Sequence, residues 1–118
     1  MKPTDIAQPD YFHKVVDCQW ACPAHTPVPE YIRLIAQGRY DDAYRHLEET
    51  LALYQRIGDR HFANSSRSEM AHVRRQQGRY AEATAIYAET MRVWQELGQR
   101  PALAHELECL AFIATATA

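Results

Sequence analysis

The sequence predicts an all-α fold of stacked helical hairpins, and three observations predict it. First, the stretch Gln77-Gly78-Arg79-Tyr80-Ala81-Glu82-Ala83 repeats Gln37-Gly38-Arg39-Tyr40-Asp41-Asp42-Ala43, forty residues upstream. The echo continues beyond the corner: Glu49-Thr50 answers Glu89-Thr90, Tyr54-Gln55 answers Trp94-Gln95, and Ile57-Gly58 with Arg60 answers Leu97-Gly98 with Arg100. Self-similarity at a fixed period of roughly 20–50 residues marks supersecondary units that stack on one another. Second, Gly38, Gly58, Gly78 and Gly98 all fall at proposed helix ends, where a residue free to turn left-handed is wanted. Third, apolar residues recur at helical spacing, and strand alternation runs nowhere for a useful length.

Residues 1–27 form an N-terminal segment, and 28–118 the repeat domain. Pro3 and Pro9 lie in a polar tail. Asp10 can cap a short helix carrying Phe12, Val15, Val16 and Trp20, which Pro23 ends. Pro-Ala-His-Thr-Pro-Val-Pro over 23–29 is a stiff connector, and Pro27 suits a first helical turn. A helix over about 28–37 uses Tyr31, Ile32, Leu34 and Ile35, and its partner over about 40–57 has Ala43, Leu47, Leu51, Tyr54 and Ile57 on one stripe. Asp59 then caps a helix over about 60–77 with Phe62, Ala63, Ser66, Met70 and Val73 inward. Ala83, Ile86, Tyr87, Thr90, Trp94 and Leu97 face inward from the helix over about 80–97. A last helix, with Pro101 in its first turn, reaches about 114 and carries Leu103, Leu107, Leu110 and Ala111 as its stripe.

Composition narrows the function classes. A chain of 118 residues supports one modest core, and no apolar run approaches the ~20 residues of a membrane helix. Met1–Asp10 has neither a basic leader nor an apolar signal core, so a cytoplasmic protein is expected. A formal charge of −2, with no charge block, argues against a nucleic-acid or membrane partner held by charge. Three cysteines, an odd count, suggest reduced thiols rather than a disulfide framework.

The placement of Ala71, Gly78, Tyr80, Ala83 and Tyr87, with Ala111 in register with Ala71, resembles tetratricopeptide repeats over about 38–114, in two and a half units. Tyr31 occupies the small position in the first unit, so its leading helix is expected to pack at a different angle. In such repeats the leading helices line a concave, partner-facing surface. The resemblance places Asn64, Ser65, Arg67, Ser68, His72, Arg75, His105 and Glu108 there, able to take a protein or peptide with an acidic or carboxylate end.

Cys18-x3-Cys22-Pro23, Val28-Pro29-x-Tyr31-Ile32 and Leu34-Ile35-Ala36-x-Gly38-Arg39-Tyr40 carry a second likeness. Residues 11–46 look like the N-terminal iron–sulfur helical domain of glutamate-synthase-like, pyridine-nucleotide-dependent flavin oxidoreductases. That resemblance implies a [4Fe–4S] cluster relaying electrons to a flavin domain, with Cys18 and Cys22 as ligands. The family's further cysteine-rich segment is replaced here by repeat-like sequence.

A cubane cluster needs about four thiolates, and Cys109 is remote from Cys18 and Cys22. A zinc site from Cys18, Cys22 and His25 matches no standard ligand spacing closely. No metal or cofactor is therefore expected, the iron–sulfur cluster being the alternative. Neither a phosphate loop nor a nucleophile–base pair stands out, so the chain is not expected to be an enzyme. Leu103, Leu107, Leu110, Phe112 and Ile113 exceed what one neighbouring hairpin can cover, which predicts homodimerisation through the last helix. The leading expectation is a non-enzymatic helical-repeat scaffold for protein interaction or self-association. Its rival is a remnant or accessory iron–sulfur domain working with a separate flavin subunit.

Overall fold

The computed structural model describes residues 28–118. The expected N-terminal helix, the proline connector up to 27, and Cys18 and Cys22 lie outside the described residues. Five α-helices follow one another: α1 Val28–Ala36, α2 Tyr40–Ile57, α3 Arg60–Gln76, α4 Tyr80–Glu96 and α5 Arg100–Ala116. Among the described residues there is no strand. Each helix packs on the next in the chain, giving an elongated stack of 46 × 32 × 23 Å.

The repeated corner is a Schellman turn. Gly78 adopts φ +75°, its N–H donates to the Arg75 carbonyl at 3.0 Å, and the Arg79 N–H donates to the Arg74 carbonyl at 2.9 Å. Gly38 repeats it at φ +73°, with Gly38 donating to Ile35 at 3.0 Å and Arg39 to Leu34 at 2.8 Å. The same pair of bonds ends α2 and α4. Carbonyls otherwise orphaned at a helix end are thus satisfied within the turn. Side chains repeat as well. Arg39 Nε donates to Asp42 at 2.8 Å, and Arg79 Nε to Glu82 at 2.9 Å, each joining the residue before the helix to an acid in its first turn. Asp59 caps α3 as its sequence position suggested, its Oδ1 accepting from the Phe62 N–H at 2.9 Å.

The forty-residue period carries into the core. Ala43 and Ala83 are fully buried, as are their successors Leu47 and Tyr87, and Thr50 and Thr90; Tyr54 and Trp94 complete the series. Small residues at Ala43, Ala71 and Ala83 let helix axes approach, and large ones a turn later fill the space beside them. One cluster joins Leu47, Met70 and Val73; another joins Ala71, Ala83, Tyr87, Cys109 and Ile113. Tyr31, in register with Ala71, is only half-buried.

Several expected inward positions differ. Phe62 is 50 % exposed and stacks on Tyr54 with ring centroids 5.4 Å apart, while Ile57 is exposed at the C-terminal end of α2. Ala111 is exposed on α5 although its register partner Ala71 is fully buried, because no later helix packs over it among the described residues. The buried stripe of α5 is Glu106, Cys109 and Ile113, in place of Leu103, Leu107, Leu110 and Ala111. Leu103 and Leu110 are half-buried, and Leu107 is exposed.

Candidate functional site

The chemistry-bearing side chains gather where α3 and α5, the leading helices of successive hairpins, meet against α4. The deepest is Glu106, at 1 % exposure. Its Oε1 accepts from the Ser68 hydroxyl and from Trp94 Nε1 at 3.0 Å, and its Oε2 accepts from Thr90 Oγ1 at 2.8 Å. Trp94 Nε1 also lies 3.1 Å from Ser68 Oγ. A carboxylate taken out of water is costly unless its oxygens are hydrogen-bonded, and three convergent donors meet that need here. The network pins α5 to α3 and α4 at a fixed rotation.

One turn further along, a second cluster forms. His72 on α3 places Nδ1 2.5 Å from the Tyr87 hydroxyl and 3.8 Å from Cys109 Sγ. His105 Nε2 lies 3.9 Å from the same sulfur, and the two imidazole rings meet edge to face with centroids 5.2 Å apart. The potential ligand atoms of His72, His105 and Cys109 all lie within 4.8 Å of one another. Burial pushes the His72 imidazole down to about 4, with the neighbouring His105 and Arg75 acting in the same direction. The ring is therefore neutral at pH 7. Burial also holds the Tyr87 hydroxyl well above the usual phenol range, so it is a hydrogen-bonding group there and not a phenolate. Burial raises the Glu69 carboxyl, an effect that His105 partly offsets.

The residues expected on a partner-facing surface divide between interior and exterior. Asn64 is fully buried, donating from Nδ2 to the Thr90 carbonyl at 3.0 Å while its Oδ1 has no hydrogen-bond partner among the described residues. Ser68 is buried with Glu106. Ser65, Arg67, His72 and Arg75 are half-buried, whereas His105 and Glu108 are exposed. Arg75 sits over the Phe112 ring at 5.1 Å, bringing two residues expected in different roles into one contact. Of the self-association set, Leu107 and Phe112 are open to solvent, Leu103 and Leu110 are half-buried, and Ile113 belongs to the core.

Glu106 and Cys109 have no place in the sequence reading as site residues. The available signal was register. A forty-residue period lays α5 beside α3, and His105 and Cys109, four apart, share one helical face opposite His72.

Neither the curated proteins nor the solved structures contain a significant match to this chain. The family described as dihydropyrimidine dehydrogenase domain II, 4Fe-4S cluster, matches residues 11–88, about two thirds of the chain. The match runs through Cys18 and Cys22, then α1 to α3, and into α4. The donor set does not fit that family's cluster on one chain. Four thiolates are needed, and beyond Cys18 and Cys22 the chain has only Cys109, which lies outside the matched segment and is buried against two histidines. The iron–sulfur likeness carried by Cys18-x3-Cys22-Pro23 and the helix ending at Gly38 is thus part of a longer correspondence, and the chain belongs to the dihydropyrimidine dehydrogenase domain II family.

Proposed function

We propose that this chain is a non-catalytic accessory domain of a flavin-dependent oxidoreductase system, acting by docking on a separate flavin subunit. The observation that carries this reading is the family match over 11–88, which includes the cysteine segment and the helices packed behind it. Two family thiols, Cys18 and Cys22, are half of what a [4Fe–4S] cluster requires. Electron relay would need the remaining ligands from another chain, so docking is the primary role. Anaerobic reconstitution with iron and sulfide tests it. The isolated chain should stay colourless and free of stoichiometric iron while remaining helical by circular dichroism. Four irons and four sulfides per chain, with a broad visible absorption band, would instead make the chain a self-sufficient electron carrier.

The observed period at Ala43/Ala83, Thr50/Thr90 and Tyr54/Trp94 favours a second reading. In it the stack is a tetratricopeptide-like scaffold whose partner is a protein or peptide rather than nucleic acid or membrane. Among the described residues no helix is long and apolar enough to cross a membrane. The partner-facing set is then Ser65, Arg67, His72, Arg75, His105 and Glu108, and Leu107 with Phe112 is the self-association surface. Arg75→Ala should weaken capture of a carboxylate-ended peptide while leaving the helical signal intact; unchanged capture would count against this groove.

A further inference from the structure

We propose that His72, His105 and Cys109 form a zinc site that clamps the terminal helix α5 onto α3. The ligand types are those that borderline-soft zinc prefers, two imidazoles and one thiolate. Bonds of ~2.3 Å to sulfur and ~2.0 Å to nitrogen, at a tetrahedral angle, put sulfur and nitrogen about 3.5 Å apart. The observed separations from Cys109 Sγ, 3.8 Å to His72 Nδ1 and 3.9 Å to His105 Nε2, are within a few tenths of an ångström of that.

Each ligand is held by a different part of the fold. Cys109 is fixed in the core with Ala71, Ala83, Tyr87 and Ile113. His72 Nδ1 faces both the Tyr87 hydroxyl at 2.5 Å and the Cys109 sulfur, and as a zinc ligand it is the unprotonated nitrogen, with the ring proton on Nε2. His105 is exposed, which gives the metal a route from solvent and lets this one ring close onto it. Zinc takes the Cys109 thiolate and the thiol proton leaves to solvent, so binding releases one proton. The Tyr87 hydroxyl, on a ring that packs with Cys109 in the core, then turns from the imidazole to the sulfur as a supporting donor. Three protein ligands leave the fourth position to water on the His105 side.

Such a clamp has a structural use here. The side of α5 bearing Leu107, Ala111 and Phe112 is exposed, and a metal bridging α3 to α5 holds this helix in place from its other side. The site is independent of the family thiols, because Cys109 lies beyond the matched segment.

The test is an anaerobic titration of the full, reduced chain with Co2+ followed by displacement with Zn2+. Wild type should bind one equivalent with tetrahedral ligand-field bands and a thiolate-to-cobalt charge-transfer band. Zn2+ should abolish both and raise the unfolding temperature. The double variant Cys18→Ala/Cys22→Ala should behave as wild type. His105→Ala should lose at least about the 100-fold that removal of even a supporting group around a metal can cause, and Cys109→Ser should lose the charge-transfer band. Because His105 is exposed, its variant keeps the test valid if Cys109→Ser fails to fold. Absence of one-equivalent binding, or binding that survives both ligand variants and vanishes in the double cysteine variant, would overturn the site.

Discussion

Trp94 Nε1 on α4 donates a hydrogen bond to Glu106 Oε1 on α5 at 3.0 Å, and both residues are buried. Removing the acceptor strands the Ser68 hydroxyl, while Trp94 Nε1 keeps Ser68 Oγ at 3.1 Å and Thr90 Oγ1 keeps the Tyr87 carbonyl at 3.1 Å. Glu106→Ala should therefore cost about 2 kcal/mol in urea unfolding, the penalty of a buried donor left without its partner. Glu106→Gln should cost only about 1 kcal/mol. Its remaining carbonyl oxygen still serves Trp94, and the Ser68 or Thr90 hydroxyl can rotate to accept from the new amide. Equal losses in the two variants would show that packing, not hydrogen bonding, fixes α5.

The corners make a matched pair of predictions. A Cβ at Gly38 or Gly78 meets nothing within 4 Å, so an added methyl has room but the left-handed backbone remains. Gly38→Ala and Gly78→Ala should each lose about 1 kcal/mol, and Asn at either site should lose less. A loss several times larger at one corner alone would mean that the two copies are not equivalent in the fold.

Arg74 distinguishes stacking from ion pairing. Its guanidinium lies 3.6 Å from the Tyr44 ring centre, and it also reaches Asp41 at 3.2 Å and Glu82 at 3.4 Å. Asp41 is largely exposed and Glu82 half exposed, so those pairs are screened and contribute little. The ring contact, worth about 1 kcal/mol, decides. Arg74→Ala should lower stability by roughly that amount with little dependence on salt, and Tyr44→Leu should reproduce most of it. A loss that disappears at high salt would assign the effect to the carboxylates instead.

The outer side of α5 predicts assembly. Leu107 is 56 % and Phe112 51 % exposed, on a helix with no further neighbour among the described residues. Leu107→Glu combined with Phe112→Glu should convert a wild-type dimer to a monomer in sedimentation velocity at micromolar concentration, with unchanged helicity. A wild-type monomer at that concentration would remove the basis for self-association through this helix.

How much of this was legible depended on whether a residue type has one structural use or several. Glycine at a helix end has nearly one, so Gly38, Gly58, Gly78 and Gly98 marked the helix ends to within a residue or two. The alanine–large pairs Ala43/Leu47 and Ala83/Tyr87 were equally readable. Helix α5 was not, because it is apolar on several sides and its period admits more than one face. Its rotation is chosen by the donors of Ser68, Thr90 and Trp94, which require Glu106 inside. Asn64 and Ser68 read as surface groups for the same reason, since a polar residue shows its buried partner only in three dimensions. His105 and Cys109 lie 33 and 37 positions beyond His72, so local spacing could not join all three.

Docking is the central claim, and one titration addresses it directly. A flavin-containing, pyridine-nucleotide-dependent subunit of the glutamate-synthase type, stripped of its own N-terminal helical domain, is titrated with the full chain and followed by sedimentation velocity. The account predicts a stoichiometric complex at micromolar concentration, weakened by Cys18→Ala/Cys22→Ala if the family thiols lie at the contact. A correctly folded chain that sediments separately from the flavin subunit at every ratio would contradict it.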